Sequence, residues 1–297
     1  MQEENGGKPA DSSLETLSTL KESLQDAIRE GDLKRAKEIK EQIEPVLDGM
    51  RLEINKPNPE NVKKIVDWLD SKRGWCSGKK LSEHTVDAPD VSEADLRAMF
   101  LEMKPLGVAD ADYDTRGYYI TALADKILED RFSKWNEANP YASKDKIDEW
   151  WQKNGKIELT HPDTGRFASN RFRKIGNDWE KGTLILNGDF GNSLGSHMRG
   201  GQIVLSGNAG PSAGALMGGG KLEINGTAGY ELGFGMSGGH IKADVSAPHP
   251  GNKMSGGIIE IGKVDTKLRG SNNQEVDKPF IGDRKTGGKI IVQGEEY

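Results

Sequence analysis

Four groups of residues in this 297-residue chain have types and spacings that invite a chemical reading. Asp110, Asp112 and Asp114 imitate the start of a calcium loop, in which alternate oxygen donors converge on one ion. That loop needs glycine at its sixth place and glutamate at its twelfth. Here those places hold Thr115 and Thr121, so the run reads as a solvated turn capping the helix that follows. The five histidines, His84, His161, His197, His240 and His249, have no H-E-x-x-H or C-x-x-C companions. Cys76 and His84 sit in a charged connector with no repeated partner and read as surface residues. Arg166, Phe167, Arg171, Phe172, Arg173 and Lys174 form a basic-aromatic cluster suited to an acidic partner or single-stranded RNA, or to an amphipathic strand capping a sheet. The fourth group is GNAGPSAGALMGG, residues 207–219, uncharged and dense in glycine in the way phosphate-cradling loops are.

That last reading yields to the neighbours of the stretch. Gly207, Gly210 and Gly214 spell G-x-x-G-x-x-x-G, and so do Gly188, Gly191 and Gly195, and Gly226, Gly229 and Gly233, at 19-residue offsets. Met198, Met217, Met236 and Met254 follow in the same register. A phosphate loop is needed once, whereas a fixed short period marks a stacked repeat. Each copy opens with a short apolar run after glycine: GTLILNG, GQIVLSG, GKLEING, GHIKADV, GIIEIGK and GKIIVQG. Leu184/Leu186, Ile203/Leu205, Leu222/Ile224, Ile241/Ala243, Ile259/Ile261 and Ile290/Val292 share a face, because strand side chains alternate. The position between them reads Ile185, Val204, Glu223, Lys242, Glu260, Ile291. A chain rising about 3.3 Å per residue covers about 60 Å in one such period, enough for one turn round a narrow core. The pattern therefore predicts a β-helix whose glycines serve its turns at φ > 0 and whose methionines fill corners of its core. No cysteine or histidine recurs at the period to make the methionines a soft-metal site.

The repeated G-x-x-G-x-x-x-G resembles the GXGXG-repeat β-helix family: the domain that ends the large subunit of glutamate synthase, and one of the subunits of formylmethanofuran dehydrogenase and of the related formyltransferase/hydrolase complex. The likeness covers residues 182–262, or to 297 with the degenerate rungs. It implies a right-handed, single-stranded β-helix acting as scaffold, with the chemistry on other domains or subunits and no catalytic residue to carry over. Two places depart from the pattern. Val245, Pro248 and Pro250 stand where glycines and their neighbours belong, and an insertion around SNNQEVDKPF separates Gly257 from Gly288.

Composition divides the chain near residue 154. Only 8 of the 38 glycines lie in residues 1–150, which carry a net charge of −9, against +3 for residues 151–297. The acidic first half argues against nucleic acid as a partner. A single cysteine forbids an internal disulfide and suits a reducing compartment. A polar N-terminus and the lack of a long apolar run give a cytoplasmic expectation with no membrane partner. Leu14, Leu17, Leu24 and Ile28, then Leu33, Ala36, Ile43 and Leu47, make two apolar helix stripes around a break at Gly31-Asp32, with Asp32 as cap. AIREGDLKRAKEIKEQIE loosely resembles the hairpin of UvrB/UvrC-type interaction modules. Further helices are expected at 60–72, at 92–103 behind a Ser92/Asp95 capping box, at 116–136 and at 144–153. Trp68, Trp75, Trp135, Trp150 and Trp151 punctuate them as parts of a small core.

The resulting expectation is an α+β multidomain protein: a tail (1–12), a helical hairpin (13–50), a small helical domain (51–154) and a glycine-rich right-handed β-helix of 19-residue repeats (155–297). Its function is that of a non-catalytic scaffold or assembly subunit without metal or cofactor. Alternatives are the structural subunit of an oxidoreductase complex of the glutamate synthase or formylmethanofuran type, and an enzyme with a site in the groove between the domains. A protein partner, or a second copy, would dock through the helical N-terminus and through the apolar in-between positions near the coil ends. Of these, Ile185 and Val204 would be covered by the N-terminal domain. Ile291 would be left open, because VQGEEY is too short to cap it.

Overall fold

The computed structural model describes residues 56–72, 85, 87–102, 110–160, 172–265 and 280–297, with part of 16–43. Leu14, Leu17, Ile28, Leu33, Ala36, Leu47, Trp75, Cys76, His84, His161, Arg166, Phe167, Arg171 and the insertion at 271–279 lie outside the described residues. The chain forms two compact units, 1–58 and 59–297. In the first, helical residues flank Asp32, whose carboxylate accepts a hydrogen bond from the Arg35 N–H at 3.0 Å, the expected cap. Its small core holds Ala27, Ile39 and Ile43, with Leu20 and Leu24 against them.

The second unit opens with four helices, α1 (Pro59–Ser71), α2 (Glu93–Glu102), α3 (Asp110–Ala138) and α4 (Lys144–Asn154). Proline starts α1, where its missing N–H costs nothing, and Val62, Ile65, Trp68 and Leu69 bury one stripe of it. The capping box before α2 closes reciprocally: the Ser92 N–H donates to Asp95 Oδ2 at 2.9 Å, and the Asp95 N–H donates to Ser92 Oγ at 3.2 Å. Asp110–Asp114 lie inside the first turns of α3, not in a turn before it. Acidic residues suit that position because the helix N-terminus carries partial positive charge.

Eight strands follow: β1 (Lys156–Thr160), β2 (Thr183–Asn187), β3 (Arg199–Ser206), β4 (Gly219–Ala228), β5 (His240–Ser246), β6 (Ile258–Val264), β7 (Lys289–Val292) and β8 (Glu295–Glu296). They form one sheet in sequence order, parallel from β1 to β7. This is a β-solenoid, one strand per turn. Thr183 pairs with Gln202, Gln202 with Lys221 and Lys221 with His240, so the 19-residue period is the pairing register itself. Pro248 and Pro250 are accommodated because that rung is one residue short: His240 pairs with Ile258, and the ladder shifts between Ile224 and Thr227. The longer interval also leaves the register intact, Ile258 pairing with Lys289. Every inward pair, from Ile157/Leu159 to Ile290/Val292, is buried. One apolar cluster joins them to α1, α2 and α3, so the segment expected as a small helical domain shares the solenoid's core.

Glycines at different places in the repeat have different reasons. Gly195, Gly214 and Gly233 take φ of 63°, 64° and 66°, the left-handed region that disfavours a Cβ. Gly210 and Gly229, expected to share that conformation, do not have positive φ. A Cβ on Gly229 would instead lie 2.6 Å from the Gly210 carbonyl carbon, and one on Gly210 would lie 2.7 Å from Asn192 Oδ1. Their constraint is the backbone of the rung before. The opening glycines have a third reason, which is the methionines. Met217, Met236 and Met254 are fully buried, and their methyl carbons would meet a Cβ on Gly239, Gly257 and Gly288 at 2.8, 2.5 and 2.5 Å. Trp179 does the same beneath Gly201, at 2.7 Å. These four corner side chains occupy the volume that the next rung's glycine leaves free, which ties the two periodicities together, whereas Gly220 meets the Gly200 and Gly201 backbone.

Gly229→Ala is expected to cost about 1–3 kcal/mol. Gly218→Ala, at an exposed glycine with nothing nearer than 3.8 Å and no positive φ, is expected to stay within about 0.5 kcal/mol of wild type. Urea unfolding of both full-length variants checks the pair; equal losses would contradict the rung-contact account.

Candidate functional site

Among the described residues the inside of the solenoid is filled by side chains. Leu184, Ile203, Leu222, Ile241, Ile259 and Ile290 fill one column and Met198, Met217, Met236 and Met254 another, all fully buried.

At the N-terminal end a strand precedes the six read from the repeat, inside the expected bounds of 155–297. β1 pairs with β2 across 27 residues, Lys156 with Thr183. The segment FRKIGNDW, which begins in the basic-aromatic cluster, forms a corner of this first rung. Lys174, Gly176 and Asp178 have φ of 59°, 72° and 58°, matching Ser193, Gly195 and His197 one period later. Phe172 is buried and stacks on Phe100 of α2, centroids 4.4 Å apart, so the described part of the basic-aromatic cluster is a turn, not a strand. α2, α3 and α4 all touch β1, covering the edge where an open solenoid would expose strand and core. A line of polar contacts fixes α3 in place. The Tyr118 hydroxyl donates to Asp178 at 3.0 Å, the Gly176 N–H donates to Thr121 Oγ1 at 2.8 Å, and Lys181 pairs with Glu129 at 3.1 Å. Gly117 permits this approach, since a Cβ there would overlap the Arg173 carbonyl oxygen.

At the other end, the expectation that VQGEEY cannot cover Ile291 is corrected. Gln293 and Gly294 both take positive φ, 53° and 86°, as a two-residue hairpin turn requires. β8 then folds back antiparallel, Glu295 against Val292 and Glu296 against Ile291. Lys285 donates to the Gly288 and Tyr297 carbonyls at 3.1 and 2.8 Å across the same end. Two glutamates on a two-residue edge strand are a charged deterrent to further pairing.

The lateral sheet face keeps an outward row: Glu158, Ile185, Val204, Glu223, Lys242, Glu260, Ile291. Ile185 and Val204 are adjacent on β2 and β3, half-buried, and flanked by the uncharged Thr183, Gln202, Asn187 and Ser206. With β1 in front of them they are not end-rung residues, and they stand on the flank of the coil. Further along, Lys221 pairs with Glu223 and His240 with Glu260, each at 3.2 Å.

Among the described residues no group of three or more His, Cys, Asp and Glu could hold a metal ion. No helix among them is long and apolar enough to cross a membrane. Trp135, Trp150, Trp151 and Phe132 sit 5.1–5.9 Å apart, centroid to centroid, touching ring on ring between α3 and α4. Trp68 packs edge-on against Tyr119 at 5.2 Å. Sequence reasoning missed one feature, a corner ladder of Tyr230, His249 and Phe280 with centroids 4.7 and 5.0 Å apart. Burial, with Glu231 beside it, pushes the Tyr230 hydroxyl above its ordinary range. The signal was available in principle, since Glu231 and His249 share the column of Ser193 and Ser212 through their positive φ.

Gly117→Ala is expected to detach α3 from the first rung while leaving β3–β6 stacked. Hydrogen exchange of the full chain should show α3 losing protection and β4 keeping it. Loss of protection in both would mean that cap and coil unfold as one cooperative unit. Comparison with protein-family models, with curated proteins and with solved structures finds no match to this chain.

Proposed function

We propose that this chain is a non-catalytic scaffold, an assembly subunit built on a right-handed β-helix of the GXGXG type, which docks a protein partner on the flank of the coil. The observation that carries this reading is the apolar pair Ile185 and Val204, set side by side on the outward sheet face, with Thr183, Gln202, Asn187 and Ser206 beside them along the strands and Glu158 and Glu223 across from them on the adjoining strands. An apolar centre with a polar rim is the anatomy of a protein interface, and a stacked sheet holds it without help from a partner. Among the described residues the solenoid interior is filled by side chains, which gives the outward pair a rigid base. Ile291 contributes less than its sequence position suggested, because Glu296 lies across from it.

A second reading makes the partner the catalytic component of a glutamate synthase-like or formylmethanofuran dehydrogenase/formyltransferase-like complex. The G-x-x-G-x-x-x-G spelling at an actual pairing register of 19 residues favours it. Both readings place the protein inside the cell, away from membranes.

The test replaces Ile185 and Val204 together with lysine. Light scattering of the purified chain reads self-association, and co-purification from the native source reads a bound partner. The expected outcome is loss of the assembly with the thermal midpoint within a few degrees of wild type, since both side chains point away from the core. An assembly that survives the double substitution would place the docking surface elsewhere.

A further inference from the structure

Between the anchoring contacts of α3 lies a carboxylate with no anchor of its own. Tyr118, Thr121, Asp125 and Glu129 fall at helical spacing on one stripe of α3. Three of them bond the first rung: Tyr118 to Asp178, Thr121 to Gly176 and Glu129 to Lys181. Asp125 sits one turn after Thr121 and one turn before Glu129, so it faces the same rung, half-buried. Among the described residues its carboxylate has no hydrogen-bond or ion-pair partner. The charged groups that act on it are Glu129 on its own helix and Glu180 and Lys181 on the rung corner. On α3 there is Glu129 and, two turns earlier, the Tyr118 hydroxyl. On the rung corner there are Asp178, Glu180 and Lys181. From β3, Arg199 reaches Glu180 at 3.2 Å and Asp178 at 3.5 Å. Lys181 is already engaged with Glu129 and Arg199 with the other two acids, so an ionised Asp125 adds negative charge that Lys181 offsets only in part.

We propose that this junction is a proton-dependent clasp: protonated Asp125 lets α3 close onto the first rung of the solenoid, and its ionisation loosens the helical cap. The physical cause is desolvation first. Burial disfavours the charged carboxylate, Glu129 and then Glu180 add repulsion, and Lys181 only partly opposes them, which pushes Asp125 up from 3.8 to about 6. The sign follows from linkage. A carboxyl whose pKa is higher in the closed state binds more protons there, so closure weakens as pH rises from about 4 to about 6 and stays weakened above. Near-neutral pH lies on the plateau above this window and mildly acidic pH lies inside it, so the cap is held less tightly at the former than at the latter. Opening uncovers the β1 edge beneath α2, α3 and α4, giving the solenoid a second, conditional pairing surface.

Hydrogen exchange of the full chain tests the clasp, with amides of residues 116–130 compared with those of β4 between pH 5 and pH 7 after correction for intrinsic rates. In wild type the opening of α3 should grow about tenfold over that range, the change expected for a carboxyl moving from about 6 when closed to 3.8 when open, while β4 stays constant. Asp125→Asn, nearly isosteric, should flatten the dependence and keep α3 protected at pH 7. Glu129→Gln removes a repelling charge and frees Lys181, so it should move the transition to lower pH. A wild-type cap with no pH dependence, an Asp125→Asn cap with the wild-type slope, or a transition unmoved in Glu129→Gln would each overturn the proposal.

Discussion

Backbone laid on backbone at strand spacing is the constraint from which the rest of this structure follows. Each rung donates to and accepts from the next along the strands, and it continues to do so around the corners, where the Gly214 N–H reaches the Leu194 carbonyl and the Gly233 N–H the Ala213 carbonyl, both at 2.8 Å. At that separation a side chain has room only inside the coil or outside it. Positions whose Cβ would point along the axis must be glycine, as Gly229 shows against Gly210. The same rule makes the core a set of columns, since a residue inside one rung always meets its counterpart in the next. Isoleucine, leucine and methionine recur because each column offers the same volume at every level. Asp189, Asn208 and Thr227 continue the logic on a corner, where each side chain or backbone bonds its equivalent one rung on, at 2.9–3.0 Å.

A stack built this way satisfies its interior and leaves its ends as the structural liability. The two ends are closed by different means. Four helices share their core with the first rung, with Phe100, Phe172 and Phe190 packed ring to ring at the seam. At the other end a two-residue hairpin and one lysine side chain suffice. The helical closure is the more elaborate, and among the described residues it carries two of the five buried polar ones, Thr121 and Asp95. An end cap held by polar contacts can be tuned by charge in a way that an apolar cap cannot.

The coil was legible in the sequence because its punctuation is strict. Glycine and methionine recur together, and the structure shows why: one fills the space the other vacates. The meaning of the middle glycine was not legible, because positive φ and a close rung contact select the same residue. Rung one escaped detection although GKIELT spells the same strand as GKLEING, for two physical reasons. Its 27-residue register breaks the period, and Trp179 stands in the methionine column. Phe172, one period before Gly191, is tolerated where the facing neighbour is the Phe100 ring and not another rung. The stripes of the helices and the Ser92–Asp95 box were readable from local spacing alone. The capping role of those helices was not, since Gly117 and Thr121 meet the first rung only through contacts some fifty residues away in sequence. Ile185 and Val204 were singled out correctly as outward and apolar, but only the discovery of β1 moves them from the end of the coil to its flank.

The central claim is that β1 to β7 form one continuous in-register stack, undisturbed by the long intervals before β2 and before β7. Nitroxide labels at Lys156 and Lys289, exposed equivalents in the first and last parallel strands, test it by pulsed dipolar spectroscopy. Six rung spacings separate the two positions, so the account predicts a single narrow distribution centred at about 29 Å, before the reach of the labels is added. A broad distribution, or one centred far from that distance, would mean that the stack is broken at one of its insertions and that the single-coil account is wrong.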